Sequence, residues 1–151
     1  MLRAIALVAA ALSAAPALAE TEPTKIRVEG EFIDTWCYFS GVMGSPEAVI
    51  GTAHHTCALW CAAGGIPVGL RTPEGAVYMV LKLEEGDGVL SDMDTLLELQ
   101  TDMIVADGLH YRRDGIDYLV VDTVVDNSGI TNLNHDEWGV TPGFAIPEPS
   151  E

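Results

Sequence analysis

Five short runs of this sequence carry strand-like apolar patterns, and one helical run falls between the third and the fourth. Ile26, Val28, Gly30 and Phe32 alternate with Arg27, Glu29 and Glu31. A period of two with one polar face is a half-buried strand. Pro67 to Thr72 reads as a second strand, Ala76 to Leu83 as a largely buried third, Met103 to Arg112 as a fourth and Ile116 to Val124 as a fifth. Thr72-Pro73-Glu74-Gly75 has the residues of a type I turn. Arg113-Asp114-Gly115 makes a hairpin turn, and Gly108 marks a bulge. Ser91 is placed to N-cap a helix reaching Gln100, with Met93, Leu96 and Leu97 on one face.

The order is therefore strand, insertion, strand, strand, helix, strand, strand. That order predicts a mainly β fold, a five-stranded OB-like Greek-key barrel. It carries a helical Cys/His insertion between strands one and two and a short helix between strands three and four. The expected barrel domain spans 25–125, with the insertion at 34–66. A lipocalin-like barrel needs more strands than 151 residues supply here. Residues 126–151 lack periodicity and hold Pro142, Pro147 and Pro149. They are expected to form an irregular tail, loosely packed around Trp138 and Phe144 and frayed at its end.

Residues 1–19 read as a secretory signal peptide. Arg3 is followed by the apolar run Ala4 to Leu12, and Ala17-Leu18-Ala19 is a cleavage signal. The run is too short and too rich in Ala for a transmembrane anchor. The expected product is soluble, periplasmic or secreted, and not an integral membrane protein. Seven Lys and Arg stand against 23 Asp and Glu, for a net charge of -16. Such a surface repels phosphate backbones and anionic headgroups, which argues against nucleic acid as a partner. An exported partner with a basic surface suits it better.

The insertion holds all three cysteines, Cys37, Cys57 and Cys61, and two histidines, His54 and His55. Ser45-Pro46 opens one short helix, interrupted at Gly51. Thr52 is placed to N-cap a second helix over Ala53 to Ala63, stopped by Gly64-Gly65. On it His54, Cys57 and Cys61 fall at i, i+3 and i+7 and share one face. Cys37 follows the first strand and can fold back onto that face.

Thiolates with an imidazole suit copper or zinc. The first reading is a non-catalytic metal-binding protein handling copper, zinc being the alternative ion. Its ligands would be Cys57, Cys61, His54 and Cys37, with Met43 a further soft candidate. The second reading is a disulfide-stapled interaction module. An exported protein meets oxidants, and a bridge from Cys37 to Cys57 or Cys61 leaves one thiol free. A thiol oxidoreductase ranks behind both, since Cys-x-x-Cys is absent. So does non-covalent haem on His54 or His55; Cys-x-x-Cys-His attachment is excluded by motif.

Other candidates are weaker. His110 reads as a half-exposed strand histidine, and Asn134-His135-Asp136-Glu137 as a solvated turn rather than a hard-metal cluster. Trp36, Tyr38, Phe39 and Trp60 are expected to cover the insertion against the barrel and to shield the sulfurs.

Asp34-Thr35-Trp36-Cys37-Tyr38, then His54 with Cys57-Ala58-x-x-Cys61, then Gly65-Ile66-Pro67-Val68-Gly69-Leu70, resembles a group of small exported bacterial proteins. The resemblance spans about residues 26–124. It implies an OB-like barrel that belongs together with the cysteine insertion, and no established activity. Separately, Cys57-x-x-x-Cys61 resembles the copper pair of the Sco-type copper chaperones. That likeness is confined to the pair: those proteins are thioredoxin-like, and the strand order here is not.

Overall fold

A computed structural model describes residues 22–85, 89–90 and 93–143. The expected signal peptide, the Ser91 cap and Phe144 lie outside the described residues.

Strand β1 (Thr24–Asp34) pairs antiparallel with β2 (Val68–Arg71), Phe32 opposite Leu70, and with β5 (Met103–Arg113), Val28 opposite Ala106. β2 continues into β3 (Val77–Glu85), and β5 into β6 (Ile116–Asn127), both antiparallel. β6 then returns to β3 in parallel register, Val80 opposite Leu119. The ring β1-β2-β3-β6-β5 closes on itself. The result is the five-stranded OB-like barrel that the strand order predicts. A two-residue strand, β4 (Val89–Leu90), pairs antiparallel with the end of β3 and is too short to leave a period in the sequence. Helix α3 (Met93–Glu98) follows, and its Leu96 and Leu97 pack on the core.

The core comprises Val28, Phe32, Leu70, Ile104, Ala106, Leu119 and Val121, the inward set of alternating strand positions. Each large side chain contributes roughly 1.5–3 kcal/mol by leaving water. Gly108 lies at the expected bulge, where the β5–β6 register shifts between Asp107 and Gly108. A Cβ there would stand 2.2 Å from the Val120 carbonyl oxygen, so only glycine permits the approach. Asp114 and Gly115 both take positive φ, 53° and 83°, as a tight hairpin turn requires.

Between β1 and β2 run α1 (Thr35–Ser40), a 3₁₀ turn (Pro46–Val49) and α2 (Gly51–Ala63). Ser45 caps the 3₁₀ turn, with Pro46 at its first position, as expected. Thr52 does not cap α2. The helix starts two residues earlier than expected, at Gly51, and its leading N–H groups are met from elsewhere in the fold. Gly51 N–H donates to Glu31 Oε1, Thr52 N–H to the Asn132 carbonyl at 2.9 Å, and Ala53 N–H to Asn134 Oδ1 at 3.0 Å. These distant acceptors do the work of a local cap.

Two of those acceptors come from the segment after β6. It contains a single-turn helix, α4 (His135–Trp138), and lies along α2 instead of hanging loose. His135 Nδ1 is 2.7 Å from Thr52 Oγ1, and the Thr141 peptide hydrogen-bonds to Ala53 and Cys57. Through residue 143 it is thus a strap over the insertion. Among the described residues, no helix is long and apolar enough to cross a membrane.

Candidate metal centre

β1 ends at Asp34, whose carboxylate caps α1. Its Oδ1 accepts from Trp36 N–H at 2.9 Å and Cys37 N–H at 3.1 Å. That cap holds Cys37 three residues away, buried beside the strand end. α2 presents Cys57 and Cys61 one turn apart on its flank. Ala58 and Ala62 face inward and are buried, so the helix lies close to the barrel. A carboxylate oxygen of Asp34 and the sulfurs of Cys37, Cys57 and Cys61 all lie within 4.8 Å of one another. Such a group could hold a metal ion. Asp34 and Cys37 are buried, whereas Cys57 and Cys61 are partly open, which leaves one side for entry. All three cysteines are unbridged.

The carboxylate and the thiols of the cluster shift in opposite directions. Burial pulls the Asp34 carboxyl upward, but the neighbouring His54 ring, the Cys61 and Cys37 thiols and the Cys37 N–H outweigh it. They hold Asp34 well below the usual carboxylate range. The thiols move the other way. Burial, reinforced by the Asp34 charge, pushes Cys61 up to about 12 and Cys37 higher still. At neutral pH these two sulfurs keep their protons and are poor nucleophiles, an environment opposite to that of a thiol-exchange enzyme. A cation would exchange those protons for itself.

Cys37, Cys57 and Cys61 converge as the sequence reading expected. His54 does not join them within that radius. It is fully enclosed, with Nε2 3.5 Å from Asp34 Oδ2. Neither His54 ring nitrogen has a hydrogen-bond partner, and nor does Asp34 Oδ2. His54 is therefore a buried neighbour of the carboxylate, outside the four-residue cluster. Asp34 is the member that sequence reasoning missed. Its signal was the Asp-x-x-Cys spacing at the end of a strand, the spacing of a helix N-cap and its third residue. His55 turns elsewhere, with Nδ1 2.7 Å from Thr101 Oγ1. An enclosed ring and a tied one are poor axial ligands for haem. Met43 sits in the loop between α1 and the 3₁₀ turn.

The aromatic cover is a correction. Trp36, Phe39 and Trp60 are 55%, 63% and 64% exposed. On α2, Trp60 lies opposite Ala58 and Ala62, which take the barrel side. On α1, Phe39 lies opposite the buried Cys37. Tyr38 alone of the four packs inward, with its hydroxyl near Arg71. His110 is satisfied by Asp117 across the hairpin, at 2.7 Å. Asn134 and His135 direct their polar atoms at α2, and the Asp136 side chain is fully exposed, so that tetrapeptide gathers no metal cluster. A separate cavity of about 730 Å³ lies between α1 and the paired strands β3 and β6, walled by Tyr38, Phe39, Val77, Met79, Ile116, Tyr118 and Asp117. It has no cysteine in its wall. No family model matches this chain, and no curated protein and no solved structure matches it.

Proposed function

We propose that this chain is an exported metal-binding protein that holds one thiophilic cation between Cys37, Cys57, Cys61 and Asp34. The observation that carries the reading is the convergence of three sulfurs and a buried carboxylate within 4.8 Å. Asp34 Oδ2 strengthens it. A buried carboxylate oxygen without a hydrogen-bond partner forfeits solvation that an ion would restore. His54, with Nε2 3.5 Å from Asp34 Oδ2, stands next to the carboxylate and acts on it through proximity.

Copper is the proposed ion, because three thiolates on an exported protein suit copper(I). One observation favours zinc(II) as the second reading. Asp34 adds an oxygen that completes a tetrahedral set of the kind zinc takes. Export, the resemblance to small exported proteins and a partner with a basic surface belong to the same proposal. The net charge of -16 would steer such a partner.

The test is an anaerobic titration of reduced protein with copper(I) and with zinc(II), followed by metal analysis and a count of free thiols. One ion per chain, lost in Cys57→Ser, supports the reading. If Asp34→Asn keeps copper(I) but loses zinc(II), three thiolates suffice for copper and the carboxylate serves zinc. Protein isolated without reductant that shows one free thiol and a bridge to Cys37, and that after reduction takes up neither ion, would instead be the stapled module.

A further inference from the structure

We infer that residues 129–143 form a clasp that sets the thiol-bearing helix in its gripping position, with Asn134 and Thr141 as positioning residues. This inference rests on the metal-binding reading above. α2 is a weak helix on its own. It opens with Gly51 at φ 61°, and no side chain within it caps its start. Its first six residues, Gly-Thr-Ala-His-His-Thr, include only one strong helix former. A helix of this length is marginal in water without tertiary support.

The clasp supplies that support at two levels. At the start, Asn134 spans a junction. Its Oδ1 accepts from Ala53 N–H at 3.0 Å, and its Nδ2 donates to the carbonyls of Glu47 at 2.8 Å and Ile50 at 3.1 Å. One turn further on, the Thr141 peptide lies against the ladder. Cys57 N–H donates to the Thr141 carbonyl at 3.1 Å, and Thr141 N–H donates to the Ala53 carbonyl at 2.9 Å. Ala53 and Cys57 are an i and i+4 pair, one turn apart on the helix. The backbone of a candidate ligand is thus referenced to the strap. An ion on the sulfurs and a docked strap favour the same placement of α2, so each strengthens the other by the same factor.

The experiment measures zinc(II) affinity of the full, reduced chain by competition with a chromophoric chelator. The parent is compared with Asn134→Ala, with Gly51→Ala and with the control Val121→Ala. At Gly51 a Cβ would stand 2.2 Å from the Asn132 carbonyl oxygen and 2.8 Å from Asn134 Oδ1, which levers the strap outward. Val121 is a barrel-core residue away from the strap. Both clasp variants are expected to bind zinc about tenfold more weakly, the loss of one or two net hydrogen bonds. The control is expected to stay within about twofold, since core truncation lowers stability without touching the site. In the parent, zinc is expected to slow hydrogen exchange at the Cys57 and Thr141 amides about tenfold, by the same coupling. Clasp variants that bind like a zinc-binding parent overturn the clasp and leave the metal site standing. So does exchange at those two amides that zinc does not change. If the parent takes copper(I) and not zinc(II), the same comparison is made with copper(I); a parent that binds neither ion overturns the clasp together with the metal-binding reading.

Discussion

Glu31 sits on β1 beneath the start of α2, 2% exposed, and accepts from Gly51 N–H and, at 3.2 Å, from Asn132 Nδ2. Burial pushes its carboxyl from 4.5 up to about 7, and the hydrogen bonds from Gly51 and Asn132 offset only part of that. The folded chain therefore holds this proton more tightly than the unfolded chain does. The stabilisation is complete below about pH 4.5 and is lost as pH rises through about 7. At about 1.4 kcal/mol per pH unit, the loss amounts to about 3 kcal/mol by pH 8. Glu31→Gln removes the titration. The amide oxygen still accepts from Gly51, while the new NH₂ faces Asn132 Nδ2, a mismatch costing about 1 kcal/mol unless Asn132 turns. Urea unfolding of both proteins at pH 5, 6, 7 and 8 tests this. The variant is expected to match the parent within about 0.5 kcal/mol at pH 5 and to be the more stable at pH 8 by about 2 kcal/mol. Taking the difference between the two proteins cancels every group that behaves alike in both. A difference that stays constant from pH 5 to 8 would refute the argument that burial governs this carboxyl.

Three further outcomes follow from the same geometry. Gly108→Ala forces a methyl group against the Val120 carbonyl, 2.2 Å away, and is expected to cost about 1–3 kcal/mol in chemical denaturation. A neutral result would mean the bulge relaxes freely. Trp60→Ala, at an exposed position, is expected to change stability by less than about 0.5 kcal/mol. A loss of several kcal/mol would restore the aromatic-cover reading. Uptake of zinc(II) at pH 7 is expected to acidify weakly buffered solution by at least two protons, one each from Cys37 and Cys61, whose thiols burial keeps protonated. Uptake without acidification would mean that those sulfurs are not ligands.

The barrel was legible because its information is local. Alternation along β1, the Gly108 bulge and the Asp114-Gly115 turn are each readable within a few residues. The convergence of the cysteines was half legible. Helical spacing put Cys57 and Cys61 on one side, and chain direction brought Cys37 back. What failed was non-local. α2 is capped by Glu31, Asn132 and Asn134, which stand 20 or more residues away, so Thr52 looked like the only cap on offer. The strap has no period because its polar groups serve α2 instead of a strand or helix of its own. α2 is also apolar almost all round. Its barrel-facing side is set by the small Ala58 and Ala62, not by the large Trp60, which inverted the expectation for the aromatics.

X-ray absorption at the edge of the bound metal, on protein carrying one ion per chain, tests the central claim most directly. Three sulfur scatterers at about 2.3 Å, joined in the zinc form by one oxygen at about 2.0 Å, are the expected shell. A shell of nitrogen and oxygen alone would place the ion elsewhere and contradict the site.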